Sequence, residues 1–470
     1  PLHRFAVPLP HALRGGGKQK CPVRDFLVAL ALSICALVFV AATQAAAPAT
    51  VTVYRGATVI DGTGAAPKPD MAIVIRGERI EAIVPDARAA TYATGATEID
   101  ARGLYAIPGL IDSHVHLATA PNRRYAEALL RRDVYSGVTA VRDMAGDARF
   151  LADLSRAALL GEIPAPDIAY AALMAGPEFF KDPRTIDSAR GAVAGDVPWM
   201  RAITPATDLT LAVAEAKGTG ASALKIYADL PGDLVRAITQ AAHRQHLLVW
   251  AHAAVFPASP HEVIDAGVDV VSHSCLLAYQ ASSQMPRAYH NRAPVEEKLF
   301  AADNHLLDPL FADMKQRGTI LDATLYVYDV MWKVPNAQPP PYCSLALAEK
   351  IADEAHRADV MVSTGTDAPG DWSDPWPSLF DELSLLVHHA GFSPMDALAA
   401  SSRVGAMTIG KSGEMGTLEP GKLADVVFVA KDPLADIDNL KSVVMTVKRG
   451  RVYRRSDYKR ITRDEARGEF

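Results

Sequence analysis

Cysteine is scarce, with 4 residues in 470. That excludes a disulfide framework, so stability has to come from a buried core. Neither sign of charge dominates: 48 Lys and Arg stand against 54 Asp and Glu, a net charge of −6. Nothing in that balance offers an electrostatic basis for binding nucleic acid. Glycine (31) and proline (32) follow no period, which excludes collagen-like and low-complexity chains. No short repeat is visible either, so solenoids are excluded. Long apolar runs are missing with one exception near the start. The remainder, within a chain 49% apolar and 22% charged, reads as globular.

The exception is 26–42, FLVALALSICALVFVAA, preceded by Lys18, Lys20 and Arg24 and followed by small residues at 45–49. A basic flank, an apolar core and small residues make an export signal, expected to be cleaved near 45–47. An uncleaved membrane anchor is the alternative. No Met precedes Met71, so the start of translation is expected upstream or at a non-AUG codon. Removing 1–47 takes away five basic residues and one acidic one, and the net charge moves from −6 to −10. Only Cys275 and Cys343 then remain, enough for one disulfide. The expected location is periplasmic or extracellular.

A chain of 470 residues exceeds one ordinary domain and suits a large barrel with a satellite. Short β-branched runs between turn residues open the mature chain (51–54, 58–60, 71–75), and similar runs close it (425–430, 443–447). One small sheet domain built from both termini is expected. Between them, strand patterns at 104–111, 139–142, 167–173, 221–227, 247–251, 268–272, 319–324 and 360–364 alternate with helical ones. Eight such units indicate a (β/α)8 barrel of the α/β class. The expected division is 1–47 export segment, 48–105 first part of a composite β-sandwich, 106–408 barrel, and 409–470 second part with the C-terminal tail. The segment 276–304 has no clear period and reads as a lid, a binding loop or an insertion.

Chemistry-bearing residues collect at the strand ends. Asp112-Ser113-His114-Val115-His116 puts two histidines on one side of a strand, spaced to share a metal. Lys225 lies inside the apolar run 223–227, where a buried ammonium needs a carboxylate partner or a chemical role. His252, His273 and Asp367 follow at the ends of strands five, six and eight. Each alone could be a core residue; together they are hard to assign to packing.

These stretches resemble the metal-dependent amidohydrolase superfamily, in the group of imidazolonepropionase-like amidohydrolases and related dipeptidases. The likeness is carried by 108–116, 137–143, 224–227, 250–252, 272–273, 365–367 and 418–425. The resemblance implies a barrel with a β-sandwich from both termini and two divalent metals, usually zinc. It further implies that His114, His116 and Asp367 hold one metal and that His252 and His273 hold the other. Lys225, carboxylated by carbon dioxide, would bridge them. True imidazolonepropionases resemble the mononuclear branch, which has no bridging lysine, so Lys225 points toward a binuclear hydrolase. Asp367 is then the expected proton shuttle for attack on an amide carbonyl.

Substrate contacts are expected from Tyr227, Tyr326, Tyr328, Arg142 and His290, with Arg287 and Arg292 as further partners for a substrate carboxylate. For Arg142 a structural ion pair is the competing reading, for the tyrosines packing, and for Arg287, His290 and Arg292 solvated loop charges. His243, His246, His388 and His389 sit on helical patterns with no function expected, and Cys275 has no base pattern that would make it a nucleophile. The expected reaction is hydrolysis of a dipeptide or N-acyl amino acid. Cyclic amides, lactones or phosphoesters at the same site, or a non-catalytic scaffold, are the alternatives. A small-molecule substrate is the expected partner, with no nucleic acid, and with a membrane only through an uncleaved N-terminal segment. A homo-oligomer is left open.

Overall fold

The computed structural model describes residues 50–290, 292–302, 305–334 and 341–467. The candidate export segment at 26–42 lies outside them. No helix among the described residues is long and apolar enough to cross a membrane.

Eight parallel strands form the barrel: Leu110–Val115, Val138–Asp143, Asp167–Ala175, Ala223–Ile226, Leu248–His252, Val270–Ser272, Ile320–Asp322 and Val362–Ser363. Each pairs with the next in chain order. At the seam, Ser113 N donates to Thr364 O at 2.8 Å, joining strand one to the end of strand eight. The strands are short apolar runs covered on both faces, as helix-wrapped parallel sheets require. Strand four, for example, is buried at all four positions. The expected (β/α)8 architecture is present.

Both termini build the second sheet. Val51–Val59, Lys68–Arg76, Arg79–Pro85, Thr97–Asp100 and Tyr105–Pro108 supply one part. The other is Val426–Val429, Val443–Lys448 and Arg451–Arg454. They meet where Val426–Val429 runs antiparallel to Tyr105–Pro108, Phe428 opposite Ala106. Two breaks in register along Val51–Val59 bend that strand so that it pairs on both edges. The expected satellite is therefore one continuous mixed sheet with an apolar cluster around Tyr54, Ile75 and Phe428.

The first barrel strand corrects the sequence expectation of 104–111. That run is split at Gly109: Tyr105–Pro108 belongs to the small sheet and Leu110–Val115 to the barrel. A Cβ at Gly109 would fall 2.0 Å from Thr139 Oγ1, so only glycine lets the two backbones pass this closely. The shift places His114 inside the strand and His116 just beyond it. Strand seven is shorter than the expected 319–324. Its chain turns at Thr324, where φ is 53°, and enters the helix Leu325–Lys333.

Candidate metal centre

The C-terminal ends of the barrel strands bring one histidine cluster together. His114 Nε2 lies 3.3 Å and His116 Nε2 3.0 Å from Asp367 Oδ1. His273 Nδ1 is 3.9 Å from Asp367 Oδ2. The His114 ring centroid is 5.3 Å from that of His116 and 5.0 Å from that of His273, and His252 stands 4.8 Å from His273. His114, His273 and Asp367 each offer a ligand atom, all within 4.8 Å of one another. Asp367 is held in place by its own backbone, whose N–H donates to His114 O at 2.9 Å.

Lys225 sits on strand four, in register with Leu173 and Trp250. It is completely buried, its Nζ has no hydrogen-bond partner, and the Tyr227 ring lies 5.7 Å away. His252 Nδ1 is likewise buried and unbonded. Two orphaned donors or acceptors beside a cluster of imidazoles and a carboxylate fit a group that is bound there. The donor set of imidazole nitrogen and carboxylate oxygen suits a divalent transition metal.

The electrostatics agree with a ligand set. Burial is the main reason that His114, His252 and His273 are harder to protonate than usual, His273 down to about 3. Neutral imidazole is the form that ligates. Burial opposes the charge on His116 too, but its contact with Asp367 outweighs this and raises it. Burial also opposes the charge on Asp367, yet His114, His116 and His273 hold its carboxyl far below the usual range. Burial first, then Arg142, brings the Lys225 ammonium down to about 7.

A cavity of about 330 Å³ opens onto the cluster. His116, His252, His273 and Asp367 form its inner end, and Arg184, Tyr227, Tyr289, Arg292 and Tyr342 stand among its walls. Of the expected substrate contacts, Tyr227 and Arg292 reach the cavity. Arg142 does not: it is fully buried, donates to Ser113 O, and pairs with Asp322 at 2.8 Å beneath the cluster. That is the ion-pair alternative. Tyr326 also stays outside, its N–H bonded to Glu382, and Tyr328 is buried behind the wall with its hydroxyl 2.8 Å from that of Tyr342. His290 lies at the outer edge, stacked on Phe179 with Asp182 3.5 Å away.

Sequence reasoning missed four residues here. Asp322 binds His114 from behind, and Arg184, Tyr289 and Tyr342 line the cavity. Asp322 ends strand seven, so the position that flagged the other ligands could have found it. The tyrosines come from irregular segments with no such signal.

The pattern of the amidohydrolase family matches this chain over residues 105–453. The chain belongs to the amidohydrolase family. The enzyme class expected from sequence, a hydrolase of carbon–nitrogen bonds, accords with that membership. The chain is 40% identical to an imidazolonepropionase of Geobacillus kaustophilus over 91 residues, 19% of this amidohydrolase and 21% of that enzyme. It is 38% identical to an adenine deaminase of Rubrobacter xylanophilus over 73 residues, 16% and 12% of the two chains. The chain thus spans about a fifth or less of the length of these curated relatives in the match. Among solved structures, a Xaa-Pro dipeptidase with bound methionine superposes with a TM-score of 0.69 at 20% identity, covering 86% of this chain and 100% of that one. A putative prolidase from Bifidobacterium longum gives 0.67 at 24%, covering 89% and 98%. These likenesses show the shared fold.

Proposed function

We propose that this amidohydrolase is an exported enzyme that uses two divalent metal ions, such as zinc, to cleave the amide bond of a dipeptide or N-acyl amino acid. One observation carries the reading: a fully buried, unpartnered Lys225 amine beside a convergent set of three histidines and Asp367. An uncompensated buried ammonium is strongly destabilising. Addition of the neutral amine to carbon dioxide forms an N–C bond, releases a proton and leaves an anionic carbamate oxygen in its place. The lowered Lys225 makes that amine available near neutral pH.

His114, His116 and Asp367 would hold one ion, His252 and His273 the other, with the Lys225 carbamate shared between them. When bound, such ions supply an activated water and a polarised carbonyl. The protein's own part is positioning and proton handling. Asp367 accepts a proton on its carboxylate and returns it to the leaving nitrogen. Tyr227, Tyr289 and Tyr342 wall the cavity and exclude bulk water around the scissile bond.

The fold likeness to a Xaa-Pro dipeptidase and a prolidase supports a dipeptide substrate. The partial likeness to imidazolonepropionase favours a second reading, hydrolysis of a cyclic amide at the same site. Export is supported by the 26–42 segment and by the Cys275–Cys343 disulfide, which suits an oxidising compartment.

The test is metal analysis of the mature protein, joined to a hydrolysis screen of dipeptides, N-acyl amino acids, cyclic amides and lactones after zinc loading. Two bound equivalents with amide turnover are expected. Less than one equivalent after reconstitution would favour a non-catalytic scaffold, and turnover confined to cyclic amides would favour the second reading. For export, the secreted chain should begin near residues 45–47.

A further inference from the structure

Two arginines reach the cavity, and their surroundings differ. Arg184 already has a counter-charge: its Nε and Nη2 donate to the two carboxylate oxygens of Asp182 at 3.1 and 2.7 Å. Its Nη1 faces the Tyr227 hydroxyl at 3.4 Å. Arg292 has no such partner. Its guanidinium lies 4.2 Å from the ring centre of Tyr289 and 4.3 Å from that of Tyr342. Nη1 donates to Tyr289 O at 2.7 Å, while Nε is buried and makes no hydrogen bond. Burial opposes its charge, and Tyr289, Tyr342, Tyr279 and Tyr227 outweigh it, the Tyr279 hydroxyl also by hydrogen bonding.

Aromatic faces stabilise a guanidinium's charge but accept nothing from its edge. Beyond Tyr289 O and the Tyr279 hydroxyl the fork meets no acceptor among the described residues, Nε having none at all. Two rings hold the Arg292 fork in a fixed plane, so little freedom is lost when a planar oxyanion meets it. A buried N–H without an acceptor is costly unless a ligand supplies one. Position adds to this. The Tyr289 ring stacks on His252 with centroids 5.5 Å apart, so Arg292 stands one aromatic layer from the expected ligands. Arg292 and the ligands His252, His273 and Asp367 all line one cavity, so a substrate held there can face both.

We infer that Arg292, clamped between Tyr289 and Tyr342, is the receptor for a free carboxylate on the leaving amino acid. The enzyme therefore prefers N-acyl amino acids and dipeptides with a free C-terminus over their C-terminal amides. This rests on the amide-hydrolase reading above.

The test pairs each N-acyl amino acid and dipeptide with its C-terminal methylamide and measures cleavage of the internal amide. Arg292→Met keeps an apolar stem between the rings and removes the fork, whereas Arg292→Lys restores charge without it. The parent should favour acids by roughly tenfold or more. Arg292→Met should lose roughly 10- to 100-fold in kcat/KM on acids, mainly through KM, and stay within about twofold on methylamides. Arg292→Lys should fall between. Arg184→Met should keep the acid preference, because Asp182 already takes that charge. A second readout needs no turnover: calorimetric titration with free leucine, where Arg292→Met should bind at least tenfold more weakly at an unchanged melting midpoint. Equal cleavage of acids and methylamides by the parent would overturn the receptor, as would equal losses on both in Arg292→Met or a preference abolished in Arg184→Met alone. If the parent cleaves neither series, the hydrolase reading fails, and the titration still decides: equal leucine affinity in parent and Arg292→Met overturns the receptor.

Discussion

Asp322 Oδ2 accepts a hydrogen bond from His114 Nδ1 at 2.7 Å, with both side chains buried. The same oxygen accepts from Arg142 Nη2 and Ser272 Oγ, each at 2.8 Å. Because Nδ1 faces Asp322, Nε2 is the nitrogen that His114 turns toward Asp367. Burial works against the charge of Asp322, but Arg142 and His114 keep it ionised below the usual carboxylate range. One carboxylate thus sets the tautomer of a candidate ligand and neutralises the arginine beneath it.

Asp322→Asn keeps the shape of that carboxylate and removes its charge. The His114 tautomer is no longer enforced, and Arg142 is left as a buried cation without an anion. Metal affinity should fall about 10- to 100-fold, and the loss of a buried pair should lower stability by about 3–5 kcal/mol. Metal retained against a graded chelator, read beside a melting curve, checks both. Parental values in each would mean that Asp322 is dispensable.

Lys225→Ala and Asp367→Asn separate holding the metals from moving the proton. The first removes the carbamate and should lower metal content at the pair of sites, with full occupancy refuting the bridge. The second keeps an oxygen donor and should retain metal while turnover falls roughly 10²- to 10⁴-fold. Wild-type-like turnover in Asp367→Asn would remove the shuttle role.

Much of this arrangement was legible because a barrel strand is a local signal. An apolar run such as 223–226 or 248–252 announces a buried strand, and a lysine or histidine there stands out against it. Asp322 also ends an apolar strand, but its place there does not say which groups it meets. It is one of 54 acidic residues, and its partners His114 and Arg142 lie 208 and 180 positions away. Arg142 was open to a substrate role for the same reason, since only the fold shows which acid it meets. Tyr289 and Tyr342 come from stretches without period, whose path depends on packing at a distance, and Arg292 was one of three loop charges that nothing local set apart. The split of 104–111 between two sheets was hidden as well, because Gly109 earns its place through Thr139, thirty positions on.

The Cys275–Cys343 disulfide braces the cavity wall. Cys275 precedes Leu276 and Cys343 follows Tyr342, and both neighbours line the cavity. Replacing both cysteines with alanine frees the Tyr342 side of the Arg292 clamp. KM for carboxylate substrates should rise several-fold with kcat little changed. Opening a loop of 68 residues should lower stability by about 4 kcal/mol. Steady-state kinetics of the double variant and of reduced parent protein should agree, and unchanged KM in both would show that Tyr342 is held by packing alone.

The last prediction concerns pH and lies away from the metal cluster, where Asp425 joins the small sheet to the barrel. Asp425 is 5% exposed; its Oδ1 accepts from Arg449 N at 2.8 Å and its Oδ2 has no partner. Burial, reinforced by Asp167, pushes its carboxyl up to about 7, against the pull of the Arg449 N–H and Lys448. In the unfolded chain the same group titrates near 3.9. A folded value above the unfolded one means that its stabilisation is complete below about pH 3.9 and is lost as pH rises through about 7. Asp425→Asn keeps the oxygen that Arg449 needs and does not titrate. Between pH 5 and 8 the variant should therefore gain on the parent by on the order of 2 kcal/mol, the gain levelling off above pH 7. Melting midpoints across that range decide it. A constant difference would place Asp425 in its ionised form throughout, held there by Lys448 and Arg449.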